Sequence, residues 1–145
     1  MAYKAIQLSN NAIPVVAAGN LLPLGRITRH TNARACNQTY VVGTTAADTV
    51  TITEPGVYRI MYSASLVPTA TGQLTVSLLQ NDEVLTSETL QATTGVTLGV
   101  SFAYLARVYP NNGGRLNVPA TIQMQATVGA ITSGISNLII EKTEA

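Results

Sequence analysis

TEPGVYRIMYSASL, residues 53–66, decides the fold class. Pro55-Gly56 is a turn signal, and the residues after it alternate by twos with no helical period. One face of the run carries Tyr58, Ile60, Tyr62, Ala64 and Leu66, and the other carries Val57, Arg59, Met61, Ser63 and Ser65. The stretch therefore reads as a core strand, and Pro-Gly punctuates its entry without being asked to do any chemistry. It differs from an ordinary half-buried strand in that both faces hold large apolar side chains.

The same period recurs along the chain. Strands are expected near residues 4–8, 14–18, 25–30, 48–53, 57–66, 74–80, 84–91, 96–108, 116–128 and 135–142. Between them stand EPG, PTATG, QNDE, TTG, YPNNGG and GAITSG, all of them turn chemistry. No capped segment of helical period appears. About ten strands in one compact unit imply an all-β, two-sheet jelly-roll sandwich. Residues 1–47 are less regular and read as N-terminal strands and an attachment segment, and 48–145 as the jelly-roll body. The apolar, uncharged IQLSNNAIPVVAAGNLLPLG (6–25) suits either leading strands or an arm laid on a neighbour.

Parity then separates two kinds of strand. Residues 116–128 are apolar on one side only, from Leu116 to Val128, and face Asn117, Thr121, Gln123, Gln125 and Thr127 on the other, which fits one core and one solvated surface. Residues 96–108 set Phe102 and Tyr104 on one face but Ala103 and Leu105 on the other, and 135–142 set Leu138 and Ile140 against Ile135 and Ile139. A two-sheet domain has one core, so a second apolar face calls for a second buried surface, most simply another subunit. Composition agrees. Charged residues make up 10% of the 145-residue chain, against about 25% in an average domain. Little charge keeps such surfaces apart.

Composition also narrows the chemistry. One cysteine and one histidine rule out an intrachain disulfide and any clustered Cys/His metal site. His30 has no Gly-x-Ser-x-Gly elbow beside it, and Ser63 and Ser65 sit mid-strand. The carboxylates fall mostly at turns, and Asp82-Glu83 reads as a hairpin tip and not as a calcium site. NNGG (111–114) is succeeded by no Lys-Ser/Thr and opens no helix, so it is no phosphate loop. No enzyme activity, cofactor or metal is expected. A net charge of +1 asks for no polyanionic partner. No run approaches the roughly 18 apolar residues of a membrane-spanning helix. MAYKAIQLSNNA (1–12) has no sustained apolar block, so no secretory signal is expected and the chain would be made in the cytoplasm. Arg26, Arg29, His30 and Arg34 form the one basic cluster. It suits docking on an acidic partner, and without interleaved aromatic residues it does not suit nucleic acid.

EPGVYRIMY (54–62), LTVSLLQNDEVL (74–85), VTLGVSFAYLARVYPNNGGRLNV (96–118) and ISNLIIEK (135–142), in that order, resemble the tumour-necrosis-factor-like jelly roll. That superfamily includes the complement globular heads, the C-terminal domains of Bacillus spore-surface glycoproteins and short phage virion proteins. The resemblance runs from about residue 48 to 142 and lacks the paired cysteines of animal members and any preceding collagen-like repeat. It implies a homotrimer in which one sheet packs around the threefold axis, with Tyr58, Met61, Tyr62, Phe102, Tyr104, Leu105 and Ile139 as candidate interface residues. Parity leaves open which face is core and which is interface; the aromatic residues that line such axes favour the tyrosine face. The resemblance further implies a non-enzymatic virion surface protein, a phage capsid decoration protein or head fibre made in the host cytoplasm. It would dock on a capsid or other virion protein through Arg26, Arg29, His30 and Arg34. The alternative is a receptor-binding adhesin of a tail fibre or spore filament, with exposed loops touching a host surface glycan.

Overall fold

The computed structural model describes residues 4–30, 36–39, 48–52, 55–108 and 120–144. They form β1 (Lys4–Ile13), β2 (Arg26–His30), β3 (Cys36–Thr39), β4 (Thr49–Ile52), β5 (Gly56–Pro68), β6 (Gly72–Gln80), β7 (Glu83–Ala92), β8 (Leu98–Val108), β9 (Ala120–Val128) and β10 (Ile131–Glu144). Two five-stranded antiparallel sheets result: sheet A in the order β2-β1-β10-β5-β8 and sheet B in the order β3-β4-β9-β6-β7. This is the all-β jelly-roll sandwich that the alternation implies. β6 and β7 join through the tight turn Asn81-Asp82, whose φ angles of 49° and 66° are of the kind that two-residue hairpins favour and Asn and Asp tolerate.

The core lies between the sheets. Strand β5 alternates strictly, and its inward side chains Tyr58, Ile60, Tyr62 and Leu66 are all buried. They meet Leu74, Val76, Leu78, Ile122 and Met124 of sheet B, which are buried as well. Large rings belong here, because two sheets about 10 Å apart leave a gap that long side chains must fill.

The N-terminal third departs from its expected elements. Residues 4–8 extend to Ile13, and β1 lies in the interior of sheet A, paired with β10 on one side and β2 on the other. Residues 4–13 are thus a leading strand, one of the two readings open for this segment. Residues 14–18 are no strand; only Val16 bridges, to Ile131. The chain then crosses to sheet B, where the Gly19 and Leu22 amides donate to the Ala126 and Met124 carbonyls, and Ala126 N donates to Asn20 O. Strand β4 pairs with β9 only at Ile52–Val50 opposite Ala120–Ile122, so this strap occupies the flank of β9 that β4 leaves unpaired. Leu22 and Leu24, both wholly buried, close that end of the sandwich. Ile13, Val16, Leu22 and Leu24 of this apolar segment are thus buried in its own subunit, while Val15 between them is 70% exposed.

Gly25 ends the strap at φ +91°, and a Cβ there would collide with the Ser9 carbonyl and the Asn10 side chain. Gly25→Ala is expected to cost at least about 2 kcal/mol, from left-handed strain plus a clash with backbone that cannot yield. A urea melt monitored by circular dichroism measures it; an unchanged midpoint would contradict the strap geometry.

Sheet B is solvated differently from most surfaces. Its outward rows carry, beside Leu79 and Val84, hydroxyls and amides tied to one another: Thr75 to Thr89 at 2.9 Å, Ser77 to Ser87 at 2.8 Å and to Thr127 at 3.0 Å, and Gln123 Nε2 to Thr49 at 2.9 Å. No charged residue stands in these rows.

Candidate interaction face

The outer face of sheet A is read directly from its register. One row runs Gln7, Ile139, Met61, Ala103, and the next toward the chain termini runs Ala5, Glu141, Arg59, Leu105. Leu105 is 61% exposed, and Met61 and Ile139 are half-buried. Beside them Arg59 donates to the Glu141 carboxylate at 2.9 Å. A row further from the termini is small and polar: Ser9, Asn137, Ser63, Ser101. There Asn137 Oδ1 accepts from Gln7 Nε2 at 2.9 Å and from Ser9 Oγ at 3.0 Å. Shallow depressions of about 320 to 360 Å³ lie on this polar half, lined by Ser9, Asn11, Ser65, Ile135 and neighbours.

The structure divides the seven candidate interface residues into two groups. Met61, Leu105 and Ile139 share the outer face. Tyr58, Tyr62, Phe102 and Tyr104 do not, which corrects the expectation that the tyrosine face lies against a neighbour. Tyr58 and Tyr62 are 0% and 1% exposed within the single chain, Phe102 is buried beside them, and Tyr104 packs on the same core. The Tyr62 and Phe102 rings are tilted 35° to each other with centroids 6.3 Å apart, an ordinary core aromatic pair. Size explains the choice of face. Only the inter-sheet gap removes a whole tyrosine from water, and the smaller mixed set of Val57, Met61, Ser63 and Ser65 is left outside.

Burial also leaves a strained polar spot. The Tyr62 and Ser136 hydroxyls are both enclosed side by side, and neither makes a hydrogen bond of good geometry. Desolvation pushes the Tyr62 phenol well above the ordinary tyrosine range, and Ser136 stands close enough only to temper the rise.

Of the four candidate docking residues, Arg26 is exposed on β2, an edge strand of sheet A, and Arg29 and His30 belong to the same strand. Arg34 and the YPNNGG loop lie outside the described residues. Ser63 and Ser65 are mid-strand on the outer face, with no base paired to them in any of the hydrogen bonds of that face. Among the described residues no three His, Cys, Asp or Glu side chains gather where they could hold a metal. No helix among the described residues is long and apolar enough to cross a membrane.

The register of sheet A supplies a feature that sequence reasoning missed. Glu88 of β7 reaches across the flank of the sandwich, and its Oε2 accepts from Ser101 N of β8 at 3.2 Å. Gln80 Nε2 similarly donates to Arg107 O at 3.0 Å. The first tie joins the edge strands β7 and β8, and the second joins β6, the strand next to that edge, to β8. Only the paired registers of both sheets could have revealed them.

No family model matches the sequence, and no curated protein does. Solved structures do resemble the chain. The globular domain of zebrafish complement 1qA protein superimposes with a TM-score of 0.67 at 14% identity, covering 94% of each chain. Murine APRIL gives 0.65 at 12% identity, over 97% of this chain and 99% of that one. The PRD1 vertex protein P5 gives 0.58 at 14% identity, over 96% of each. At such identities the likeness is one of architecture, and it extends over nearly the whole length, including the strap and β1. The chain has the tumour-necrosis-factor-like, complement-head-like jelly-roll fold.

Proposed function

We propose that this chain is a non-enzymatic, homotrimeric surface protein of a virion, a phage capsid decoration protein or head fibre attached to a larger shell. The observation that carries the trimer is the outward apolar set of Met61, Ala103, Leu105 and Ile139 on sheet A. In a chain this poor in charge, such a face is better satisfied by another subunit than by water. The solved fold neighbours support the virion setting through one member, the PRD1 vertex protein P5. The self-bonded hydroxyl face of sheet B suits the outside of such a trimer.

We assign attachment to the basic residues Arg29, His30 and Arg34, since β1 is needed inside sheet A. Light scattering at micromolar concentration tests the assembly: a mass of three chains is expected, and a stable monomer would overturn the reading. Arg29→Glu combined with Arg34→Glu is expected to leave a soluble trimer that no longer decorates particles stripped of it. Undiminished decoration, seen in micrographs of the reconstituted particle, would remove the basic cluster from the attachment role.

A further inference from the structure

Sheet A and the flank of β7 carry opposite charge. On the outer face of sheet A, Arg26, Arg59 and Arg107 are exposed, and Glu141 is the one acidic group set against them among the described residues. Along β7 and its turn stand Asp82, Glu83 and Glu88, with no lysine or arginine among them. A net charge of +1 conceals this segregation.

Height along the strands sharpens it. Arg26 pairs in register with Ser9, Ser9 with Asn137, Asn137 with Ser63, and Ser63 with Ser101, whose amide donates to Glu88. One continuous cross-strand row therefore begins at an arginine on one side of the subunit and ends at a glutamate on the other. Arg26 has no carboxylate partner among the described residues, and Glu88 uses one oxygen, Oε2, leaving Oε1 free. Between the Glu88 and Gln80 ties the same flank carries Val84 and Leu105, 50% and 61% exposed.

A rotation about an axis running along the strands leaves every residue at its own height. Identical copies arranged head to tail around such an axis bring the β7–β8 flank of one against the β2 side of the next, with Arg26 and Glu88 level. A head-to-tail contact between unlike surfaces that closes on itself gives a ring, whereas laying one basic sheet face on another would oppose like charges. We propose that Arg26 of one copy pairs with Glu88 of its neighbour, and that this contact sets the order of subunits around the ring. The proposal rests on the trimeric reading of the outer face of sheet A. It names which side of one copy meets which side of the next, and it leaves Arg29, His30 and Arg34 for the shell.

The test is charge reversal in the full chain, with assembly read by analytical ultracentrifugation and subunit folding by thermal melts. Arg26→Glu and Glu88→Arg should each weaken assembly by about tenfold or more, because like charges then face each other across the contact. The two reversals together should return the dissociation constant to within about threefold of the parent. Glu88→Gln keeps an acceptor for Ser101 N while removing the charge, so it isolates the interfacial role should Glu88→Arg disturb the fold; it should weaken assembly by a few-fold and leave the melt of the monomer unchanged. If the parent chain is a monomer, the trimeric reading fails and this pairing with it. If the parent is a trimer that neither Arg26→Glu nor Glu88→Gln weakens, the pairing alone is overturned. Weakening without rescue in the double reversal also overturns it.

Discussion

Ile139→Asp is expected to convert the proposed trimer into a folded monomer. The side chain at 139 points away from the core, between Gln7 and Met61 on the outer face of sheet A. An aspartate there is hydrated in the single chain, so its melting temperature should barely move. In the assembly the same carboxylate would be shut against Met61, with the arginine of its row, Arg29, two strands away, and an uncompensated buried charge costs about 3–5 kcal/mol. Each trimer carries three of them, enough to dissociate it at micromolar concentration. Thr121→Asp is the matched control, since Thr121 faces outward on sheet B, away from the proposed interface, and its amide donates to Asn81 Oδ1 at 2.9 Å. Sedimentation of both variants beside the parent decides the matter. A trimer that survives Ile139→Asp would move the interface off this face.

The second large effect concerns Tyr62 and reports on the core alone. Tyr62→Ala should lose about 3–5 kcal/mol of subunit stability, the usual consequence of emptying a buried aromatic site. Tyr62→Phe should lose nothing and gain up to about 1 kcal/mol, because it removes a buried hydroxyl that makes no hydrogen bond of good geometry. The two substitutions also separate in alkali. Folding raises the phenol above the ordinary value of about 10, so below that pH both states hold the proton and stability is unaffected. Above it the unfolded chain ionises while the folded one does not, and stability falls as pH rises. Tyr62→Phe should therefore shift the alkaline unfolding midpoint upward, tracked by circular dichroism together with phenolate absorbance. A midpoint unchanged by the substitution would show that the hydroxyl is hydrated after all.

Much of the fold was legible in the sequence where one strand's own pattern suffices. The alternation through residues 57–66 implies a strand, and the two apolar faces of residues 96–108 and 135–142 imply a second surface. The orientation of that surface was not legible, because parity gives two faces without naming them; ring size and the inter-sheet gap decide that Tyr62 goes in and Met61 stays out. The strap from Pro14 to Leu24 was opaque for another reason. Its bonds run to Met124 and Ala126, over a hundred residues away, and non-local pairing of an irregular segment leaves no period to read. Strand β3, Cys36–Thr39, is four residues of mixed polarity, too short to show alternation. The row from Arg26 to Glu88 depends on four strand registers and one cross-sheet bond, none of which a single segment encodes.

The outward rows of sheet B have a further consequence. Most proteins hold water at their surfaces with ions, and their dispersion in solution shifts as salt shortens the Debye length from about 30 Å at 0.01 M to about 3 Å at 1 M. Here water meets a lattice of hydroxyls and carboxamides whose hydrogen bonds are closed among Thr75, Thr89, Ser77, Ser87 and Thr127. Nothing in that lattice titrates, and nothing in it gathers counterions. That face of the subunit should respond little to salt or to mild changes of pH, much as a hydroxylated polymer coating does.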